Sequence, residues 1–536
     1  MKSGSAAALA AALVLSGCAT TAYLRTGGEP GRVDAQIVQA SRRAAIGSPE
    51  SLADAARILH AGGVLRDARA AGLQYIGATL YASLFPALDS PFPKGSGASE
   101  DAVFTAFPFF AAVMPAMLAL DLPAPLDDAS LSAFDTALAQ ADILITGSAL
   151  PPYFRGVIML RRSRPVEARA LFEASLARAP GFYPAALKLS SLIIAGDSPP
   201  SELALLQQLA AALPTPVMRL DALARAFLAA DKPDQAADAA AQGLLLAPDD
   251  PQFALLRARA LDALGSWSPA VRIINALLAR IPDNHEAILE KARILHEKGS
   301  NTAEALRLLN DAGSRFPSEP SFPELRGRIL LETGRTDEGL AALTAALNIE
   351  PARHSTLTLL LLQAVRVGRW NEASTWLERI PESARSTDDL RLAWRLAMGL
   401  GDPAKAVDFA RALEGRAGGA AAAALEARSL NASGQPTQAR AVVDAALPQA
   451  GSALRSELHT IRALAGSPDP ASDLRHALME NPDNTEALVS LSELLASRQD
   501  FRKAAEYARH AAELAPDDAG LARRARDLDA LASTGK

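Results

Sequence analysis

The chain contains a single cysteine in 536 residues, few aromatic residues and no excess of positive charge. One cysteine, Cys18, cannot form a disulfide within the chain, and it cannot build a thiolate metal site alone. Aromatic residues make up only 5% of the sequence, which disfavours a β-rich fold because strands are enriched in aromatic and β-branched residues. The formal net charge is −6, whereas nucleic-acid binding requires a strongly basic surface, so we expect no nucleic-acid partner.

Motifs of catalysis and cofactor binding are missing as well. The dipeptide His296-Glu297 lacks the second histidine of the zinc-binding H-E-x-x-H pattern. Thr534-Gly535-Lys536 has no glycine-rich loop before it, and Gly147-Ser148 is not part of a G-x-S-x-G nucleophile elbow. The sequence therefore predicts no enzyme, no catalytic residues, no metal site and no cofactor.

Abundant alanine and leucine dominate the rest of the composition and favour helices, because both are strong helix formers. Hydrophobic residues make up 49% and charged residues 21%, so most of the chain should fold. A length of 536 residues exceeds one ordinary hydrophobic core. The chain therefore forms either several domains or one extended array of repeats.

The N-terminus carries the pattern of an export signal. Lys2 precedes an apolar run, Ala6 to Leu15, that is too short for a permanent membrane span. The run ends in Leu15-Ser16-Gly17-Cys18, which resembles the lipobox of bacterial lipoproteins. The resemblance implies that residues 1–17 are a signal peptide and that Cys18 is lipidated and becomes the new N-terminus. The alternative is an ordinary cleaved signal peptide with a cysteine at this position by chance.

The residues that follow the lipobox predict which membrane receives the lipidated chain. By resemblance to lipoprotein sorting, Ala19 at the position after Cys18, in place of aspartate, implies delivery to the outer membrane. Residues 18–31 are rich in Thr, Gly and Pro and are predicted to be a short lipidated tether. The apolar segment 106–122 is interrupted by Pro108 and Pro115, so we expect a buried helix pair there and no membrane span.

Prolines recur through the body of the chain at a spacing of 34 or 35 residues, with one gap of 97 residues between Pro351 and Pro448 that leaves room for three shortened units. They are Pro180, Pro214, Pro248, Pro282, Pro317, Pro351, Pro448, Pro482 and Pro516. Each unit also places small residues at fixed offsets, as with Ala224, Ala236 and Gly243 before Pro248. The period and these positions resemble the tetratricopeptide repeat, an antiparallel helix pair of about 34 residues.

The resemblance covers residues 149–533 and implies an all-α fold, a right-handed α-solenoid of ten or eleven helix pairs. The solenoid is predicted over residues 149–516, with a C-terminal capping helix over 517–536. The units ending near Pro214, 385 and Pro482 match the pattern loosely. Each pair exposes apolar faces that only its neighbours can cover, so the array buries one continuous core.

Residues 32–148 also have a helical pattern but do not follow the repeat, so they are either diverged repeats or a separate N-terminal helical domain. Four phenylalanines are concentrated here, at Phe104, Phe107, Phe109 and Phe110. We interpret them as a core cluster, because apolar residues at helical spacing usually belong to a core. The alternatives are an exposed patch or a pocket for a ligand.

Six arginines occupy equivalent positions in the first helix of a unit, five of them directly after the small position and Arg395 after Trp394. They are Arg225, Arg259, Arg293, Arg328, Arg395 and Arg428. In this repeat family the position tends to face the concave groove, so a row of guanidinium groups could bind an acidic partner. The alternative is pairing along each helix, as in Asp221–Arg225, Glu324–Arg328 and Arg259–Asp262.

Two functional hypotheses follow. The first is a lipid-anchored scaffold or adaptor that faces the periplasm and binds envelope proteins or peptides in a complex for assembly, secretion, polysaccharide export or peptidoglycan metabolism. The second is a component that binds a small hydrophobic ligand for a periplasmic solute transporter, with the phenylalanine-rich segment 101–122 as its pocket.

Overall fold

The computed structural model describes residues 32–61, 65, 67–92, 101–121, 126–162, 164–196, 199–299, 301–417 and 419–534. Within these ranges the chain forms α-helices and three short 3-10 helices, with no β-strand. The predicted all-α class is confirmed. Cys18, the signal peptide and the tether lie outside the described residues. No helix in the described ranges combines the length and hydropathy that a membrane crossing requires.

The chain divides into two compact units, Met1–Pro317 and Ser318–Lys536. The helices in the described part of the first unit are α1 Arg32–Ile46, α2 Pro49–Ala61, α3 Ala68–Leu84, α4 Asp101–Ala106, α5 Pro108–Asp121, α6 Asp128–Leu144, α7 Leu150–Arg161, α8 Pro165–Arg178, α9 Tyr183–Ile194, α10 Leu203–Ala211, α11 Pro216–Ala229, α12 Pro233–Leu246, α13 Pro251–Ala263, α14 Trp267–Arg280, α15 His285–Glu297 and α16 Thr302–Arg315. From α7 onward they form five antiparallel pairs, which are the helix pairs of the predicted repeats.

Proline and capping residues explain the helix ends. Helix α12 ends at Leu246 and α14 ends at Arg280, each two residues before a periodic proline. Proline stops a helix because it lacks the N–H group and clashes with the preceding turn. The next helix begins at a capping side chain, as where Asn284 accepts a hydrogen bond from the backbone N–H of Ala287. The 34-residue period therefore comes from repeated stop and start signals.

The N-terminal helices share a core with the first repeats. One cluster of buried side chains runs from Ile37 on α1 to Ala226 on α11. Phe109 and Phe110 are buried in it, and Phe104 and Phe107 pack against it partly exposed. The interpretation of these phenylalanines as core is confirmed. Pro108 begins α5, where its missing N–H is harmless, but Pro115 lies within α5 and does not end it, contrary to our expectation.

Aromatic rings join the N-terminal helices to the repeats. Phe182, fully buried just before α9, contacts the ring of Phe85 at 5.7 Å and that of Tyr153 at 5.1 Å between centroids, both edge to face. Phe85 follows α3 and also contacts Tyr183 at 5.4 Å. Such edge-to-face pairs add to the stabilisation from burial. This aromatic junction fixes the N-terminal helices against the first two helix pairs.

The second unit contains six further pairs and a last helix. Its helices are α17 Ser321–Glu332, α18 Thr336–Ile349, α19 His354–Arg366, α20 Trp370–Glu378, α21 Thr387–Gly399, α22 Pro403–Ala417, α23 Ala420–Ala432, α24 Pro436–Ala446, α25 Ser452–Leu464, α26 Pro470–Glu480, α27 Thr485–Ser497, α28 Phe501–Leu514 and α29 Ala519–Thr534. The 97-residue gap between Pro351 and Pro448 holds the three pairs α19/α20, α21/α22 and α23/α24. Helix α29 covers α28 and buries Ala525 and Leu528.

Small residues allow the two helices of a pair to approach closely. A Cβ atom on Gly327 would come within 2.8 Å of Leu343 and 3.0 Å of the carbonyl oxygen of Gly339. A Cβ atom on Gly339 would meet Leu331 and the carbonyl oxygen of Gly327 at similar distances. The tight contact explains why the repeat requires small residues at these offsets.

Candidate functional site

In the first unit, the arginines at the repeated position are bound to carboxylates, some on their own helix and some on a neighbouring one. Arg225 pairs with Asp221 at 2.9 Å and donates to the side-chain oxygen of Gln252 at 3.2 Å. Arg259 donates to Glu286 at 2.9 Å and to Glu290 at 3.2 Å, both on the next first helix, α15.

The chain of ion pairs continues at Arg293. Its guanidinium contacts Glu290 at 2.6 Å, Asp262 at 2.7 Å and Glu297 at 2.5 Å. Glu290 and Asp262 are only 8% and 5% exposed, so these carboxylates depend on the arginines for their neutralisation. The network holds α11, α13 and α15 in register.

In the second unit, Arg428 is closely paired with carboxylates, whereas Arg328 is not. Arg428 donates hydrogen bonds to Glu486 from both terminal nitrogens, at 2.9 and 2.6 Å, and to Glu457 at 3.2 Å. Arg328 has a carboxylate oxygen, that of Glu332, 4.0 Å away. The pairing alternative is confirmed for Asp221–Arg225. It is wrong for Glu324–Arg328 and Arg259–Asp262, because Glu324 accepts from Arg353 and Asp262 pairs with Arg293.

These contacts change how the arginine hypothesis can be tested. Reversing Arg259 and Arg293 to glutamate would place new negative charges beside Glu290 and Asp262, which are buried. Unpaired buried charge is strongly destabilising, so loss of partner capture by that variant would not separate binding from unfolding. Arg328 and Arg395 are the suitable positions, because neither neutralises a buried carboxylate. Binding of a partner by the six arginines stays a prediction.

Arg395 borders a pocket within the second unit. The pocket has a volume of about 600 Å³ and is lined by residues of α19, α20 and α21, namely Leu362, Val365, Arg366, Trp370, Trp394, Arg395, Met398 and Gly399. Among the residues that the structure describes, neither Arg366 nor Arg395 forms an ion pair. Of the six arginines, Arg395 aligns least well with the others, because it follows Trp394 in place of a small residue. It is nevertheless among the residues that line this pocket.

The sequence analysis did not identify the other pocket residues. A signal was present, because three of the four tryptophans of the chain fall within 25 residues, and two of them, Trp370 and Trp394, each adjoin an arginine. What the sequence could not show is that α20 and α21 bring both tryptophans to the lining of one pocket.

A buried acid and a histidine form a second polar cluster in this unit. The fully buried Asp389 accepts hydrogen bonds from the Nε2 of His354 at 2.6 Å, from Thr358 at 2.6 Å, and from the N–H and hydroxyl of Ser386 at 2.7 Å. Burial opposes its ionisation, but the hydrogen bonds from His354, Thr358 and Ser386 outweigh burial and hold the pKa of Asp389 well below its usual value. The hydrogen bond to Asp389 raises the pKa of His354.

This pair predicts a pH-dependent stability. The pKa of His354 is higher in the folded chain than its ordinary value of 6.5, so the stabilisation is complete below about pH 6.5 and is lost as pH rises through the raised pKa. We expect the free energy of unfolding, measured by urea titration, to fall above pH 6.5, and His354→Ala to remove this part of the decrease. His510→Ala is the control, since His510 is 3.5 Å from an exposed Asp483. Equal pH profiles for wild type and His354→Ala would contradict the prediction.

Three further side chains have the chemistry of metal ligands. His459, Asp473 and His476, on α25 and α26, have one ligand atom each within 4.8 Å of the others. Arg462 already donates to Asp473 at 2.5 Å and to Nδ1 of His459 at 3.4 Å. Burial and the nearby positive charge of Arg462 lower the pKa of His459. A cation here would have to displace the guanidinium, so the cluster is best described as an arginine-centred ion-pair network.

Comparison with known proteins adds information on the fold. No protein-family model and no curated protein sequence matches the chain. Similar solved structures include PilW, a widely conserved type IV pilus biogenesis factor (19% identity, TM-score 0.31, 38% of this chain and 94% of PilW). A tetratricopeptide repeat protein from Parabacteroides merdae has 14% identity and a TM-score of 0.34 over 51% of this chain and 97% of its own.

A third similar structure is the Cut9–Hcn1 hetero-tetramer of the APC/C, with 14% identity and a TM-score of 0.36 over 95% of this chain and 98% of that one. At these identities the similarity concerns the fold alone. The described helices of the chain form successive antiparallel pairs, and its function has to be inferred from its own residues.

Proposed function

We propose that the chain is a lipid-anchored scaffold that faces the periplasm and binds protein partners in a cell-envelope complex. The observation that carries the proposal is the run of eleven helix pairs among the described residues, five in the first unit and six in the second. Stacked pairs of this kind offer long surfaces with few catalytic groups, and such surfaces commonly serve protein binding. We infer a binding protein and no enzyme.

The anchor rests on Cys18. It is the single cysteine of the chain, and it stands where the lipobox pattern Leu15-Ser16-Gly17-Cys18 requires one. Acyl chains on this residue would supply about 0.8 kcal/mol of membrane affinity for each buried CH₂ group. Ala19 favours sorting to the outer membrane.

The paired arginines restrict the kind of partner that the scaffold would hold. Arg225, Arg259, Arg293 and Arg428 already bind carboxylates of the chain itself, so an acidic partner would have to compete with them. Arg328 and Arg395 are better placed to receive an acidic group. The phenylalanine-rich segment 101–122 contributes Phe109 and Phe110 to the core, so we do not propose it as a ligand pocket.

The anchor is tested by fractionating the membranes of a two-membrane bacterium that expresses the full chain. We expect wild type in the outer-membrane fraction and Cys18→Ser in the soluble periplasmic fraction. Ala19→Asp is the matched variant and should stay with the inner membrane while keeping its acyl chains. Cys18→Ser found in membranes at the wild-type level would overturn the lipid anchor.

The scaffold is tested by cross-linking and pull-down from detergent-solubilised membranes. We expect a reproducible set of envelope proteins with the wild type and a reduced set with Arg328→Glu combined with Arg395→Glu. Recovery of no envelope protein by the wild type would count against a scaffold, and unchanged recovery by the variant would exclude these arginines as the contact.

A further inference from the structure

The pocket in the second unit has one apolar and one cationic part. Its apolar walls are the indoles of Trp370 and Trp394 with Leu362, Val365 and Met398. The Trp370 ring lies against Gly399, where an added Cβ atom would approach it to 2.7 Å. A volume of about 600 Å³ falls within the range of small-molecule sites, about 300 to 1,000 Å³.

The polar side-chain groups of this pocket are donors. Arg366 and Arg395 each present a guanidinium, which donates and never accepts. The indole N–H of Trp394 is already used, because it donates to the hydroxyl of Ser429 at 2.8 Å. None of the side chains that line the pocket carries an oxygen acceptor.

Because the polar side chains that line the pocket only donate hydrogen bonds, they favour a ligand that accepts them. A peptide in extended form brings N–H groups that need acceptors, and the lining side chains provide none. A carboxylate brings only acceptors, and a guanidinium binds it with two parallel hydrogen bonds. A hydrocarbon tail would displace water from the indoles and from Leu362, Val365 and Met398.

Charge supports the same conclusion. Most of the arginines at the repeated position are neutralised within the chain, as Arg428 is by Glu486 and Glu457. Arg366 and Arg395 are exposed, and no carboxylate within the described residues pairs with either of them. Two cations of this kind beside an apolar pocket are complementary to an anion with an apolar tail.

We propose that this pocket is a binding site for a monocarboxylic acid with a hydrocarbon tail, held by Arg366 and Arg395 at its carboxylate and by Trp370 and Trp394 at its tail. The site is independent of the lipid anchor, and it shares Arg395, but not Arg366, with the partner contact proposed above.

The proposal is tested with octanoate as the probe, on the full chain carrying Cys18→Ser so that no acyl chain of its own competes. Calorimetry and tryptophan fluorescence should both report saturable binding, because Trp370 and Trp394 contribute to the signal. Uncharged 1-octanol and cationic octylammonium should bind at least tenfold more weakly than octanoate. Arg366→Gln and Arg395→Gln should each weaken octanoate binding by roughly tenfold to a hundredfold, the loss of a charge-assisted bond.

Arg391→Gln is the matched control, since Arg391 lies one turn earlier on α21, outside the pocket, and pairs with Asp388 at 2.8 Å. It should leave octanoate binding unchanged. Circular dichroism should show that all three arginine variants keep the helix content of the parent. No binding of octanoate, equal binding of octanoate and 1-octanol, unchanged binding by both pocket variants, or preferential binding of the peptide Ala-Ala-Leu would each overturn the proposal.

Discussion

Replacing Phe182 with alanine is expected to lower the free energy of unfolding of the first unit by about 3 to 5 kcal/mol. The phenyl ring is fully buried and touches Phe85 from the N-terminal helices and Tyr153 from the first helix pair. Its removal loses the apolar burial and leaves a cavity beside Phe85 and Tyr153 that the surrounding side chains fill only in part. The variant should also loosen α1 to α3, because Phe182 contacts Phe85, which directly follows α3.

Urea titration followed by circular dichroism measures the loss, and hydrogen exchange with mass spectrometry localises it. The control is Ile143→Ala, on α6 of the same unit, where the side chain is 79% exposed and the change should stay within about 0.5 kcal/mol. A loss below 1 kcal/mol for Phe182→Ala, or faster exchange confined to the second unit, would contradict the expected role of the junction.

Replacing Asp389 with alanine is expected to destabilise the second unit by about 2 to 4 kcal/mol, from donors left unpaired and from the loss of the capping box at α21. Four hydrogen bonds converge on this carboxylate, two of them from Ser386, whose side chain caps the helix in return. Asp388→Ala is the control, because the neighbouring carboxylate is 76% exposed and pairs with Arg391 at the surface.

The same variant should change the acid limb of the stability profile. Because the pKa of Asp389 is depressed below its ordinary value of 3.8, its stabilisation is present above about pH 4 and is lost as pH falls towards the lowered pKa. Denaturant titrations between pH 3 and 7 should therefore show a shallower acid decrease for Asp389→Ala than for Asp388→Ala. Parallel profiles would mean that the carboxylate does not carry this stabilisation.

Much of the fold was predictable, because it depends on local signals. A proline every 34 residues and small residues at fixed offsets define the helix pairs, and the three pairs in the gap after Pro351 follow from its length. The exception at Pro115 shows the limit of local reasoning. A proline breaks an isolated helix, yet α5 continues through it while nine of its fourteen residues are buried.

The candidate site was less predictable, because side-chain pairing depends on how neighbouring helices rotate. Glu324 has Arg328 one turn away on its own helix, yet it accepts a hydrogen bond from Arg353, 29 residues later. The pocket arises in the same way, from the meeting of α19, α20 and α21. The sequence therefore predicted the position of the arginines within each repeat. It did not predict which of them form ion pairs with carboxylates.

The ion pairs of the first unit also bear on how the array could change in length. Arg225 reaches Gln252 and Arg259 reaches Glu286, and both contacts span 27 residues. Gln252 and Glu286 are themselves 34 residues apart and so hold the same place in successive repeats. Removal of one whole repeat between them would bring Arg225 opposite Glu286, with a donor again facing an acceptor. These two contacts are therefore interchangeable, so a whole repeat can be added or deleted at this join without a change in the type of contact.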